Sequence, residues 1–173
     1  MQRASDYCAI EHLRDGRAIE MRALRPDDLE EMLAAIGRTS SQSLRRRFFV
    51  PKRGFSETEL AFFMNIDFNN HVALVAQIDE DGRPSIVGGG RYIVVQPGQA
   101  EVAFVVVDAY QGLGIGAALM RHLARLARDA GLKELIAEVL PENAAMLKVL
   151  GKFGFRSSSK REPQVIHLTM QLA

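Results

Sequence analysis

Between Glu101 and Ala118 the chain reads EVAFVVVDAYQGLGIGAA: a β-branched apolar run, a short polar connection, then a hexad from Gln111 to Gly116 that opens a long helical pattern. A strand entering a helix through glycines leaves backbone N–H groups unpaired at the helix start, where the positive end of the helix dipole also lies. Such a turn cradles a phosphate, and glycine suits it because a Cβ would hold the anion away from the backbone. The feature also constrains topology. The strand before this helix and the apolar run Leu135 to Leu140 after it form a β-α-β crossover, so the two strands run parallel.

The other strand patterns read as antiparallel. Ala18 to Leu24 alternates, with Ile19, Met21 and Ala23 on one face. His71 to Ile78 ends at the turn signal Asp79-Glu80-Asp81-Gly82, Ser85 to Val95 returns through Gly88-Gly89-Gly90, and Pro97-Gly98 turns into Glu101 to Val107. Val165 to Gln171 closes the sheet. Asp28 and Glu31 have capping-box spacing and predict a first helix to about Gly37, and Ser40 to Phe49 predicts a second helix carrying Arg45, Arg46 and Arg47. Ser56 and Glu59 form another capping box. The helix from about Gly116 to Ala130 sets Leu119, Leu123, Leu126 and Ala127 against Arg121, Arg125 and Arg128, and a last helix spans Asn143 to Phe153. The expected class is α/β, with helices flanking a mixed, mostly antiparallel sheet of six to seven strands.

With 173 residues, 47% apolar and 25% charged, the chain is expected to form one domain over 1–173, residues 1–12 being its loosest part. A net charge of +1, from 22 basic and 21 acidic residues, leaves no electrostatic footprint for nucleic acid or an acidic membrane. The one cysteine, Cys8, excludes an intramolecular disulfide and a cysteine-cluster metal site. His12, His71, His122 and His167 lack metal-ligand spacing, so no metal is expected. No apolar run approaches a membrane span, and a cytoplasmic monomer or homodimer is the expectation.

Several phosphate ligands compete for the hexad. Gly112, Gly114 and Ala117 match the spacing of a dinucleotide-binding turn, but antiparallel strands precede it and about one β-α unit follows. No Gly-Lys-Ser/Thr follows the glycines, which removes the nucleotide P-loop. The hexad does match Gln/Arg-x-x-Gly-x-Gly/Ala after a strand and before a long helix, and Asn143 opens a helix that ends in Gly154-Phe155. On those motifs, Glu101 to Phe155 resembles the acyl-CoA-binding core of the GNAT N-acetyltransferase superfamily. The resemblance implies acetyl-CoA as co-substrate, its pyrophosphate on the segment Gln111, Gly112, Leu113, Gly114, Ile115, Gly116 and Ala117. It implies a pantetheine arm along Phe104, Val105 and Val106, where the two parallel strands splay, and a coenzyme contact at Asn143.

Upstream, LRDGRAIEMRALRPDDLEEM, SLRRRFF and HVALVA resemble bacterial protein-lysine acetyltransferases that modify acyl-CoA synthetases. A protein lysine is the acceptor this implies, with a small amine or amino acid, or a non-catalytic acyl-CoA-binding module, as alternatives. Direct transfer in a ternary complex needs a base to strip the ammonium. Glu101, in an apolar strand beside the pantetheine path, is the first choice and matches the family's catalytic glutamate; Glu138, five residues before Asn143, is the alternative. Many relatives place a tyrosine seven residues after the asparagine as acid, and here that position is Leu150. Tyr110 reads as packing, the triple arginine as a solvated cluster, and Phe48 and Phe49 as core or cleft wall. His71 is a candidate cleft residue, and Cys8 lies outside the motifs.

Overall fold

The computed structural model describes residues 4–38, 56–162 and 165–172. They form an eight-stranded sheet: β1 (Cys8–His12), β2 (Ala18–Ala23), β3 (His71–Glu80), β4 (Arg83–Gln96), β5 (Gln99–Val106), β6 (Glu134–Val139), β7 (Arg156–Glu162) and β8 (Val165–Gln171). The strand order is β1-β2-β3-β4-β5-β6-β8-β7. Four helices accompany it among the described residues: α1 (Leu29–Gly37), α2 (Glu57–Met64), α3 (Ile115–Asp129) and α4 (Ala144–Lys152). Ser40 to Phe49, with Arg45, Arg46, Arg47, Phe48 and Phe49, lies outside the described residues.

The two strands that the sequence patterns did not reveal are the sheet's edges, β1 and β7. An edge strand needs a ladder on one side and no apolar face, so the polar sequence RSSSKRE of β7 carries no alternation to find. Cys8–His12, expected to be loose, pairs with β2 from Cys8↔Arg22 to His12↔Ala18. All neighbouring strands are antiparallel except β5 and β6, which pair in parallel at Gln99↔Glu134, Ala100↔Leu135 and Glu101↔Ile136 and no further. From Val102 onward the two strands part.

Helix α3 lies against one face because β4 has no side chains in its way. A Cβ on Gly90 would stand 2.9 Å from Leu123 Cδ1 and 3.0 Å from Phe104 Cβ, and one on Gly88 3.3 Å from Ile115 Cγ2. Ile115, Leu119 and Leu123 are consequently buried to 1% exposure or less, each contributing about 1.5–3 kcal/mol of burial free energy.

On the opposite face, under α1 and α2, a polar group is sealed in. Arg22 donates from Nη1 to Asp28 Oδ2 at 2.8 Å and from Nη2 to Asp28 Oδ1 at 2.9 Å, and also reaches Gln77. The Arg25 N–H donates to the same Asp28 carboxylate at 2.6 Å. Burial pushes Asp28 up, but the Arg22 guanidinium and the Arg25 N–H outweigh it and hold the carboxyl below its ordinary range. With its oxygens so engaged, Asp28 does not form the expected capping box with Glu31; a 3-10 turn over Pro26–Asp28 leads into α1 instead. The Ser56/Glu59 box does form, with both hydrogen bonds at 3.1 Å.

Candidate functional site

Strand β5 runs through a 3-10 turn at Asp108–Tyr110 into the glycine hexad, and α3 starts at Ile115. Gly112 (φ +81°) and Gly114 (φ +96°) adopt left-handed backbone that side-chain-bearing residues rarely tolerate. The Gln111 amide donates to the Val106 carbonyl at 3.0 Å, folding the loop back over the end of β5. The loop opens on a cavity of about 320 Å³. Its walls include Phe104, Val105 and Val106 from β5, Gln111, Gly112, Gly114, Ile115, Gly116 and Ala117 from the loop and α3, and Asn143 before α4. Leu113 is the exception among the sequence-derived residues: it is not part of this wall and packs against the core.

A second, narrower space of about 30 Å³ occupies the gap between β5 and β6, bounded by Val102, Ala103, Glu138, Val139 and Leu150. It shares Phe104, Asn143 and Met146 with the larger cavity, so the two adjoin. Asn143 is 6% exposed, and its Oδ1 accepts the Met146 N–H at 3.2 Å, which caps α4.

Glu101 is the last β5 residue paired with β6. The registers put His71, Ile93, Glu101 and Ile136 side by side across four strands. Glu138 stands two residues past Ile136 on that same face, its Oε1 3.6 Å from His167 Nδ1. The two carboxylates therefore flank the opening from opposite strands.

The same face carries a residue that the sequence reading missed. Arg91, 8% exposed, donates from Nη1 to the Phe63 carbonyl at 3.2 Å and to His71 Nε2 at 2.8 Å, its guanidinium 4.8 Å from the Phe63 ring centroid. Arginine only donates, so the His71 ring accepts at Nε2 and is neutral with its proton on Nδ1. Arg91 borders a third cavity, of about 80 Å³, with Met32, Ala35, Phe63, Ala103 and Val105. The available signal was a lone cation in the apolar run Ile86 to Val95. His71 does line this side of the sheet beside Arg91.

No proton donor stands in the gap at the usual tyrosine position, where Leu150 is 1% exposed. Tyr110 is buried at the larger cavity, its hydroxyl raised above its ordinary pKa by burial and then by Glu80, and also engaged by Arg17. Cys8 is exposed on an edge strand separated from β5 by β2, β3 and β4. Among the described residues no group of three or more His, Cys, Asp or Glu is placed to hold a metal ion, and no helix is long and apolar enough to cross a membrane.

Comparison with known proteins adds to this geometry. The profile of the acetyltransferase (GNAT) family matches residues 40–155. Acetyltransferase PA5475 of Pseudomonas aeruginosa is 37% identical over 91% of this chain and 87% of its own length. Acetyltransferase Pat of Mycolicibacterium smegmatis is 32% identical over 82% of this chain, which spans 42% of that protein. The crystal structure of the GNAT domain of S. lividans PAT superposes with a TM-score of 0.87 at 33% identity, covering 95% of this chain and 96% of that one. The fold is also that of yncA from Salmonella typhimurium, solved with its cofactor acetyl-CoA, at a TM-score of 0.70 and 17% identity over 90% of this chain and 94% of that one.

Proposed function

The chain belongs to the acetyltransferase (GNAT) family, and on that premise we propose that it moves an acetyl group from acetyl-CoA directly to a primary amine, a protein lysine. One observation carries the reading. The β5–β6 ladder ends at Glu101, and the gap that opens there adjoins the cavity under the glycine loop, so an extended thiol-bearing arm fits between the phosphate cradle and a carboxylate.

In this reading the backbone N–H groups from Gly112 to Ala117 and the positive end of α3 hold the donor's diphosphate. The pantetheine lies along Phe104, Val105 and Val106, in the space left where β6 departs from β5. Glu101 takes a proton from the incoming ammonium, directly or through water, and the amine attacks the thioester carbonyl. A backbone N–H of the Phe104–Val106 segment holds the tetrahedral oxyanion. The C–S bond then breaks, coenzyme A leaves as a thiolate, and the second proton of the attacking nitrogen passes to that thiolate directly or through water; a thiol of pKa about 8.5 departs without a dedicated acid, consistent with Leu150 at the acid position. Glu138 is the alternative base.

The narrow, mostly apolar space beside Ala103 suits the aliphatic stem of a lysine, which supports the protein acceptor together with the upstream resemblance. Arg91 on the wall of that space favours a second reading, a small amine bearing a carboxylate, such as an amino acid. Incubation with acetyl-CoA and either an acyl-CoA synthetase or free amino acids, followed by mass spectrometry, separates the two. Glu101→Gln is expected to lower kcat by about 10²–10⁴-fold with donor affinity unchanged. Full activity of that variant at every pH would refute the assignment of Glu101 as base.

A further inference from the structure

Resting on the coenzyme A reading above, we propose that the β1–β2 hairpin is part of the donor site, with Arg14 in its turn supplying the cation that meets the donor's diphosphate. The glycine hexad itself is uncharged: Gln111, Gly112, Leu113, Gly114, Ile115 and Gly116 offer N–H groups and no side-chain cation. A helix N-terminus contributes only about half a positive charge, against the double negative charge of a bridging diphosphate. The missing charge arrives from the far end of the sequence.

Arg14 is fastened to the loop at two points. Its N–H donates to the Leu113 carbonyl at 3.3 Å, and its Nη1 donates to the Gly112 carbonyl at 3.3 Å. Arg14 is part of the cavity wall, whereas Leu113 packs against the core. The guanidinium lies across the mouth of the loop, its Nε 3.8 Å from the place where a Cβ of Gly114 would stand. Its Nε and Nη2 groups have no hydrogen-bond partner among the described residues, which leaves unused donors on a side chain that lines the cavity. Lys148 and Lys152 border the same cavity from α4 and add exposed charge, but Arg14 is the cation fixed on the loop itself.

The hairpin is held so that this reach is reproducible. Arg17, three residues on, stacks its guanidinium carbon 5.2 Å from the ring centroid of Tyr110, just before the hexad. On β1 close to the turn, Glu11 accepts from Arg121 Nη2 and from His122 Nε2, both at 2.7 Å, while at the other end of the strand the Tyr7 hydroxyl bonds His122 Nδ1. A neutral His122 with its proton on Nε2 satisfies every donor and acceptor in that chain. Arg121 and His122 lie on α3, so the helix that presents the N–H groups also anchors the hairpin that presents the cation.

Calorimetric titration with coenzyme A, and with pantetheine, which lacks the phosphates, tests the assignment. Arg14→Ala is expected to weaken coenzyme A about tenfold at low salt, the scale of one charge-assisted contact, and to flatten the salt dependence. Pantetheine affinity and melting temperature stay unchanged, and Arg14→Lys recovers part of the loss. Equal coenzyme A affinity in wild type and Arg14→Ala overturns the proposal while leaving the donor reading intact. Parallel loss of coenzyme A and pantetheine overturns it too, because the role is then structural. Failure of the wild-type protein to bind coenzyme A removes both.

Discussion

On the α3 face Gly88 and Gly90 let Ile115, Leu119 and Leu123 come down onto strand backbone. On the opposite face the same strands carry Arg22, His71 and Arg91, each under 9% exposed and each held by hydrogen bonds. Both faces are buried, yet the first is shaped by the absence of atoms and the second by the matching of charges. The two therefore fail in different ways. An added methyl group is what the α3 face cannot absorb, whereas the opposite face is harmed most by losing one member of a pair.

The largest effect is expected at Asp28. In Asp28→Ala the Arg22 guanidinium, with its side chain 5% exposed, keeps its burial and loses its carboxylate, a change that costs about 3–5 kcal/mol. The urea midpoint falls while the m-value holds. Replacing both partners together, as in Arg22→Met with Asp28→Leu, costs less than the single change, because no charge is stranded. A loss below about 1 kcal/mol for Asp28→Ala would place this pair with exposed ion pairs and dissolve the contrast between the faces.

The same pair gives the opposite face a pH dependence. The folded pKa of Asp28 lies below its unfolded value of about 3.9, so its contribution is fully present above that pH and is lost as pH falls through the folded value. Urea midpoints measured from pH 6 down to pH 2 should fall for the wild-type protein, and the part due to Asp28 should be missing from Asp28→Asn. On the α3 face, Gly90→Ala is expected to cost about 1–3 kcal/mol, since the new Cβ meets Leu123 Cδ1 at 2.9 Å and Phe104 Cβ at 3.0 Å. That penalty should be independent of pH between 4 and 8. Pairing the substitution with Leu123→Ala should cost less than the sum of the two, which double-mutant analysis reads directly.

The contrast also explains what could be read from the sequence. The donor side is made of backbone: a glycine hexad, a crossover helix and an asparagine cap each follow from local spacing, and the residues so named line one cavity apart from Leu113. The opposite side is made of side chains brought together from afar, such as Arg91 with His71 and Phe63, or Arg22 with Gln77. Local spacing carries no trace of those pairings. Asp28 illustrates the failure, because its capping signal was outbid by a guanidinium from the preceding strand. Arg14 was missed for the same reason, its partners Gly112 and Leu113 lying 98 and 99 positions away. The edge strands β1 and β7 escaped for another, since pairing along one side leaves no apolar alternation to detect.

Asn143 supplies the smallest of these effects and tests where the contrast ends, because it is a buried polar side chain that serves the donor cavity. Its Oδ1 accepts the Met146 N–H, so Asn143→Ala removes a helix cap and is expected to cost about 1 kcal/mol. Asn143→Asp keeps an acceptor oxygen in the same place and adds a negative charge at a helix start, which favours the cap. Stability should therefore be restored in Asn143→Asp, as a thermal melt would show. Donor binding should respond in the opposite sense, because in the proposed reading the same charge borders a cavity that takes up a polyanion. Coenzyme A affinity is thus expected to fall further in Asn143→Asp than in Asn143→Ala. If affinity instead followed stability across the two variants, Asn143 would act only by holding α4 in place, and the donor side would be a backbone construction throughout.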